Sequence, residues 1–488
     1  MIRFLLLCIA AAAFWVAPAA AADSALLPPG FTDSVAFDPA SGRPLQVSSG
    51  GKAGAPTVVL IHGLGQQASL DWLPVLHTLA RHYRVLIFDL PGFGRSDRAD
   101  AGLSPKKYAD LLHWLILQHT NEPVFVVGHS LGGAIALRHS YDYPEQVRRL
   151  LLIDAAGILQ TTVFARHLAL VPGKVDAPKA LRRLVERGSR ALNRVSGRFQ
   201  DMTADSAGLL AALANSDRAR GLLYRDNSNV NAALGLVNED FSPIVREVRV
   251  PVWILWGEHD PVAPLRTGRA LKWLLPQAQL DILAGVGHVP MSEETGMTVD
   301  WLLRSLKEPL SAAGPAAPQV TQGDALCRDQ SNLAYRGTWR SIRLENCTNV
   351  RIENATLGSL VALRSTATLD NVSIDTDGTA LEASRSAITA TGLRIVAGRA
   401  FNLDDSRLDL AALRISARDL GDDKNGSLLY ISLGYWCDGA QEWRLHDVWK
   451  PRHGRLDAQF RRARLGACGA GAIASFSTPS TALTNENQ

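Results

Sequence analysis

The residues best placed to do chemistry are a serine, an aspartate and a histidine lying far apart in the chain. Gly128-His129-Ser130-Leu131-Gly132 follows the apolar run Val124 to Val127 and opens the helical-looking stretch Ala134 to Tyr141. A strand, a sharp turn and a helix in that order present a serine as a nucleophile, and flanking glycines spare the strained turn from side-chain clashes. The hydroxyl needs a base to take its proton, and the base needs a carboxylate to fix its tautomer. Asp260 stands just beyond the run Trp253 to Trp256, and His288 sits in Gly285-Val286-Gly287-His288-Val289-Pro290, after the next apolar run. Two rival acids are Asp154, which ends the run Leu150 to Ile153, and Glu258, two residues before Asp260. His129 and His259 have no partner pattern and read as packing or surface residues. The sequence has no His/Cys/Asp cluster at metal-ligand spacing and no Gly-x-x-x-x-Gly-Lys-Ser loop, so neither metal nor nucleotide is expected, and no cofactor is implied.

Positioning three such residues requires a rigid scaffold, and the region around them supplies its signature. From Phe31 to Leu306, short apolar runs alternate with helical segments, the pattern of a mostly parallel sheet covered by helices. Strands are expected at Thr57–Ile61, Arg84–Phe88, Val124–Val127, Leu150–Ile153, Val252–Trp256 and Leu280–Leu283. Ser34–Phe37 and Pro44–Val47 flank the turn signal Asp38-Pro39-Ala40-Ser41-Gly42 and predict an opening hairpin. Alternation stops over 157–243, which reads as a helical lid insertion. Within it Leu181, Leu184, Val185, Leu192, Val195 and Phe199 share one helical face, and arginines crowd the others. That pattern fits either a solvated lid helix with a buried stripe or a basic surface for anionic lipid or an acidic substrate.

The chain order Ser, Asp, His resembles that of the α/β-hydrolase family, as do His62-Gly63-Leu64-Gly65 and Asp89-Leu90-Pro91-Gly92-Phe93-Gly94-Arg95-Ser96. The resemblance covers Phe31 to Leu306 except the lid. It implies Ser130 as nucleophile, His288 as general base and then acid, Asp260 as the acid of the triad, and the amides of Leu64 and Leu131 as the oxyanion hole. Serine at position 130 argues against branches that attack through a carboxylate. Gly-His-Ser-Leu-Gly-Gly resembles carboxylesterases and monoacylglycerol-type lipases, which implies cleavage of a small acyl ester or lipid through an acyl-serine. A carbon–carbon bond hydrolase or perhydrolase is the alternative on the same fold.

A second region follows a small-residue and proline linker at 309–320. Over Ser341 to Ile431, three apolar columns recur with a period near 20: Ile352, Ile374, Ile395, Ile415; Leu363, Ala383, Leu403; and Leu369, Ile388, Leu408. Stacked coils of short strands are expected, and the stretch resembles a parallel β-helix, placed at 321–476. Its acids do not recur in one column, so envelope or polysaccharide binding, or spacing, fits better than catalysis. A protein of another class, a binding module with a vestigial hydrolase domain, would also carry such a region. A tail at 477–488 is polar and low in complexity.

The 488 residues, 47% of them hydrophobic and 20% charged with net charge +4, suit two or three globular domains and demand no nucleic-acid partner. Residues 1–22 read as a secretory signal peptide: Arg3, the apolar stretch Phe4 to Val16, and Ala20-Ala21-Ala22 before Asp23. No later segment offers the run of about 18 apolar residues that a transmembrane anchor needs. A periplasmic or secreted location is expected, and there the remaining cysteines can pair. Cys327 and Cys347 lie one coil apart, and Cys437 with Cys468 would staple the irregular end, where Trp436, Trp443 and Trp449 suggest a cap.

Overall fold

The computed structural model describes residues 27–65, 67–97, 103–159, 228–309, 321–449, 454–461 and 463–469. The signal-peptide, linker and tail readings fall outside these residues, as does most of the lid, including its basic face. The chain divides into two compact units: one of Met1–Asp240, Glu247–Gly268 and Gln277–Ser311, the other of Phe241–Arg246, Arg269–Pro276 and Ala312–Gln488.

The first unit is built on eight strands: β1 (Thr32–Phe37), β2 (Pro44–Gly51), β3 (Thr57–Ile61), β4 (Arg84–Phe88), β5 (Val124–His129), β6 (Val147–Ile153), β7 (Val252–Gly257) and β8 (Gln279–Leu283). Their spatial order is β1-β2-β4-β3-β5-β6-β7-β8. The hairpin β1–β2 adds antiparallel to β4, and the rest run parallel. Asp38 shapes the hairpin turn by accepting from the Ala40 amide at 2.9 Å. A parallel sheet is buried on both faces, so its strands are continuous apolar runs rather than alternating ones, as in the fully buried Thr57–Ile61.

One set of alternate residues, among them Val58, Leu60, Val127, Ile153 and Leu255, shares a core with helix α1 (Leu73–Ala80). Helices α2 (Pro105–His119) and α3 (Leu131–Asp142) follow β4 and β5 in the chain, α4 (Ser228–Asn238) precedes β7, and α5 (Thr295–Lys307) follows β8. Trp301 and Leu302 of α5 complete the α1 core.

The second unit is a large β-rich domain. Strands β9 (Thr321–Arg328), β10 (Ala334–Glu345), β11 (Val350–Leu357), β12 (Leu360–Leu363), β13 (Thr366–Ser384), β14 (Ala387–Asp404), β15 (Arg407–Asp423) and β16 (Leu428–Cys437) pair in parallel. Beyond them β17 (Gln441–Trp449), β18 (Gly454–Arg455) and β19 (Arg464–Ala467) join antiparallel. Cys327 is bonded to Cys347 and Cys437 to Cys468.

The apolar columns stack in register at their later members and slip at the first. Ile374, Ile395 and Ile415 are successive partners, but Ile352 pairs with Leu369, and Leu357 takes the place beside Ile374. Likewise Ala362, not Leu363, faces Ala383, and Ala367, not Leu369, faces Ile388. The displacement of Ile352 comes from one corner. Leu357 pairs with Ile374 and Leu360 with Leu381, so a step of 360 − 357 = 3 positions between β11 and β12 faces one of 381 − 374 = 7 within β13.

Inside another corner runs a file of buried serines. The amide of Cys347 donates to Ser365 Oγ at 2.9 Å, Ser365 N to Ser386 Oγ at 3.0 Å, Ser386 N to Ser406 Oγ at 3.1 Å, and Ser406 N to Ser427 Oγ at 3.0 Å. Each rung satisfies a buried amide that the strand ladders leave unpaired at the bend.

Candidate active site

Ser130 sits between β5 and α3 at φ 54°, ψ −117°, a conformation few non-glycine residues adopt. Its flanking glycines are obligatory on steric grounds. A Cβ at Gly128 would lie 2.2 Å from the Gly132 carbonyl oxygen, and one at Gly132 would lie 2.1 Å from that of Ile61.

His288 and Asp260 arrive from the loops after β8 and β7. His288 Nε2 is 3.0 Å from Ser130 Oγ, and its Nδ1 is 2.7 Å from Asp260 Oδ2. With the Nδ1 proton donated to the carboxylate, Nε2 is left to accept from the serine hydroxyl. The other Asp260 oxygen accepts from the amides of Val262 and Ala263 at 2.7 and 2.9 Å, which fixes the carboxylate's rotation. The fold therefore gathers all three residues into one hydrogen-bonded chain. Glu258 does not join them; its Oε2 accepts from the Gly285 amide at 3.0 Å.

The loop carrying Leu64 lies beside the serine. A Cβ on Gly63 would fall 2.9 Å from Ser130 Cβ, so only glycine lets the loop approach this closely. His62, fully buried, pins that loop: Nδ1 lies 2.7 Å from the Gly63 carbonyl, and Nε2 accepts from the Leu90 amide at 3.0 Å. Those two bonds require a neutral ring protonated on Nδ1, and burial does hold its pKa below the ordinary value. Asp89 anchors the neighbouring turns by accepting from the amides of Ser69 and Arg95.

Glu293, His129 and Asp71 gain importance that their sequence context does not signal, and Asp154, a rival acid in the sequence, gains a different place. Glu293 brackets the base: its carboxylate oxygens accept from the amides of Gly287 at 2.6 Å and Val289 at 3.0 Å, on either side of His288. Its cue in the sequence is only an acid five residues beyond the histidine. His129 is buried, and burial, reinforced by the nearby His288, lowers its pKa to about 3. Asp71, in the turn Ala68–Trp72, is raised to about 6 by burial against a countering attraction to His288. Asp154 is wholly buried at the end of β6, where burial and the charge of Asp260 raise its pKa far above the usual carboxylate range. Although the sequence has no metal-ligand spacing, His129, Asp154 and His288 come together with ligand atoms within 4.8 Å of one another. Both nitrogens of His288 already serve Ser130 and Asp260.

A model of the alpha/beta hydrolase fold matches residues 56–295. An uncharacterized protein of Mycobacterium tuberculosis is 31% identical over 251 residues, spanning 50% of this chain and 73% of that protein. The chain belongs to the alpha/beta hydrolase family. Also similar to it are the magnesium-chelatase 30 kDa subunit of Rhodobacter capsulatus, 32% identical over 52% of this chain and 88% of that protein, and Lipase 1 of Psychrobacter immobilis, 25% identical over 54% and 80% respectively. The residues matched by the family model hold the Ser130, Asp260 and His288 cluster.

Proposed function

We propose that this alpha/beta hydrolase cleaves carboxylic esters, of the carboxylesterase or monoacylglycerol-lipase kind, through an acyl-serine at Ser130. The observation that carries the reading is the continuous chain from Ser130 Oγ through His288 to Asp260, at 3.0 and 2.7 Å. His288 Nε2 takes the hydroxyl proton as Oγ attacks the ester carbonyl, and Asp260 supports the imidazolium that forms. The oxygen that gains charge is held by the amides of Leu64 and Leu131, each contributing about 3 kcal/mol to the transition state. Leu131 supports that role by opening α3, where amides lack intrahelical acceptors, and Leu64 by following the glycine that closes on Ser130. His288 then protonates the leaving alcohol, and water, deprotonated by the same nitrogen, releases the acid.

The second unit is, in this reading, a short parallel β-helix that binds envelope lipid or polysaccharide or acts as a spacer. Its support is the succession of parallel partners, such as Ala367, Ile388, Leu408 and Leu429 across four strands, closed by antiparallel β17 and β19. Two disulfides favour the periplasm or the exterior, where thiols are oxidised. Among the described residues no helix is long and apolar enough to cross a membrane.

A fluorophosphonate probe on the purified protein tests the mechanism, with stoichiometric labelling expected at Ser130 and none in Ser130→Ala. A series of p-nitrophenyl esters then tests the substrate class. Absence of labelling would refute the serine mechanism, and labelling without turnover of any ester would refute the ester assignment.

A further inference from the structure

Behind the Ser130, His288 and Asp260 chain lies a second carboxyl group that the mechanism does not use. Asp154 follows β6 at φ 45°, with its amide donating to the Leu255 carbonyl at 3.1 Å and its side chain fully shielded from water. Its Oδ1 accepts from the Gly257 amide at 2.9 Å, while Oδ2 is buried with no donor directed at it. One of its oxygens lies within 4.8 Å of a ring nitrogen of both His129 and His288.

The neighbours of Asp154 leave little room for a second negative charge. Asp260 is the better anion: it accepts from two amides and from His288. Asp154 has one amide. The titratable groups facing it are Asp260 and Glu293, both acids, and the two imidazoles of His129 and His288. His129 stays neutral over the working pH range and offers no compensating charge. Two buried carboxyls beside one imidazole cannot both ionise, and the one with fewer donors keeps the proton.

We propose that Asp154 is a neutral carboxylic acid in the resting protein, its Oδ2 proton directed at the Asp260 carboxylate, and that it is the reserve acid for His288. The pair carries one negative charge, with the proton on the member farther from the chemistry. Asp154 is in this sense a positioning residue: it donates to Asp260, holds the carboxylate in its rotamer and moderates its basicity toward the imidazole. When Asp260 is neutralised, the repulsion that adds to burial in keeping Asp154 protonated disappears, and an imidazolium at His288 offsets the remaining cost of burying a charge. It then ionises beside the same ring, its proton passing to solvent, and supports the imidazolium from the second position. The inference rests on the triad reading and adds a protonation state that can be measured without turnover.

The decisive observation is the infrared C=O stretch of a protonated carboxyl group at pH 8, where Asp71, raised to about 6, is ionised. It should be present in the native protein and in Ser130→Ala, and absent from Asp154→Asn; its absence from the native protein overturns the proposal whether or not Ser130 reacts with a fluorophosphonate. Kinetics supply the second arm, in variants that the probe still labels. Because asparagine is also a neutral donor, Asp154→Asn should leave the acid-limb midpoint of kcat/KM within about 0.3 pH unit of the parent, whereas removal of a resting charge would lower it by about one unit or more. A fall of more than about half a unit therefore counts against a neutral Asp154. Asp260→Asn should retain at least about tenfold more kcat/KM than Asp260→Asn with Asp154→Asn, and equal values would remove the reserve role.

Discussion

His129 Nε2 lies 2.7 Å from the carbonyl oxygen of His288, so the residue beside the nucleophile holds the backbone of the base. A carbonyl only accepts, which places the ring proton on Nε2 and leaves Nδ1 bare and buried. Replacing His129 with Phe keeps a ring and deletes the donor. We expect kcat to fall about tenfold, with KM little changed, because the bond orients His288 rather than substrate. Steady-state kinetics with a short-chain ester, alongside fluorophosphonate labelling rates, check this; unchanged kcat would show that Glu293 alone fixes the loop.

Burial depresses two histidines, His129 to about 3 and His139 to about 4, from an ordinary value of 6.5. Between those values and 6.5 the unfolded chain binds more protons than the folded one, so stability must fall as pH drops through that window. Urea midpoints between pH 7 and pH 4.5 should decline, and His129→Phe should flatten the slope by up to one proton. An equal slope in parent and variant would mean that His129 is solvated in the folded state.

Asp71 moves in the opposite sense. With its pKa raised to about 6, the folded state holds this proton more tightly than the unfolded one, and stability falls as pH rises from 3.8 toward 6. Above that value the ionised carboxylate favours the imidazolium form of His288. Asp71→Asn should stabilise the protein at pH 8 and shift the acid limb of the pH–rate profile to lower pH, by about half a unit. A profile that does not move would sever Asp71 from the base.

Much of the site was legible because its chemistry constrains residue type and local spacing together. Ser130 is announced by glycines that nothing larger can replace, and Asp260 and His288 each follow an apolar run. Asp154 was legible as a rival acid, but Glu293 and Asp71 were not legible as partners, since their roles depend on how loops converge, and convergence has no period along the chain. The β-rich unit shows the same limit in another form. Ile374, Ile395 and Ile415 were readable as a column because successive parallel partners there are similarly spaced along the chain, whereas Ile352 was placed wrongly because one corner is four positions shorter. A repeat reveals its period, but a deletion at a bend shifts every residue before it without disturbing the hydrophobic pattern.

The buried serines give the last prediction. Ser386 Oγ accepts from the Ser365 amide at 3.0 Å and lies 3.0 and 2.9 Å from the carbonyl oxygens of Ala362 and Ser384, so it links neighbouring strands as both acceptor and donor. Alanine at this position would strand a buried amide and leave two carbonyls with one donor fewer. A loss of about 1–3 kcal/mol is expected, the cost of an unsatisfied buried polar group. Cysteine is nearly isosteric but a weak donor and acceptor, so Ser386→Cys should fall between the two. Threonine adds a methyl group where the file is close-packed and should cost at least as much as alanine. Chemical denaturation followed by tryptophan fluorescence would order the three variants. Retention of full stability in Ser386→Ala would mean that water replaces the hydroxyl, and that the strand ladders alone hold this corner together.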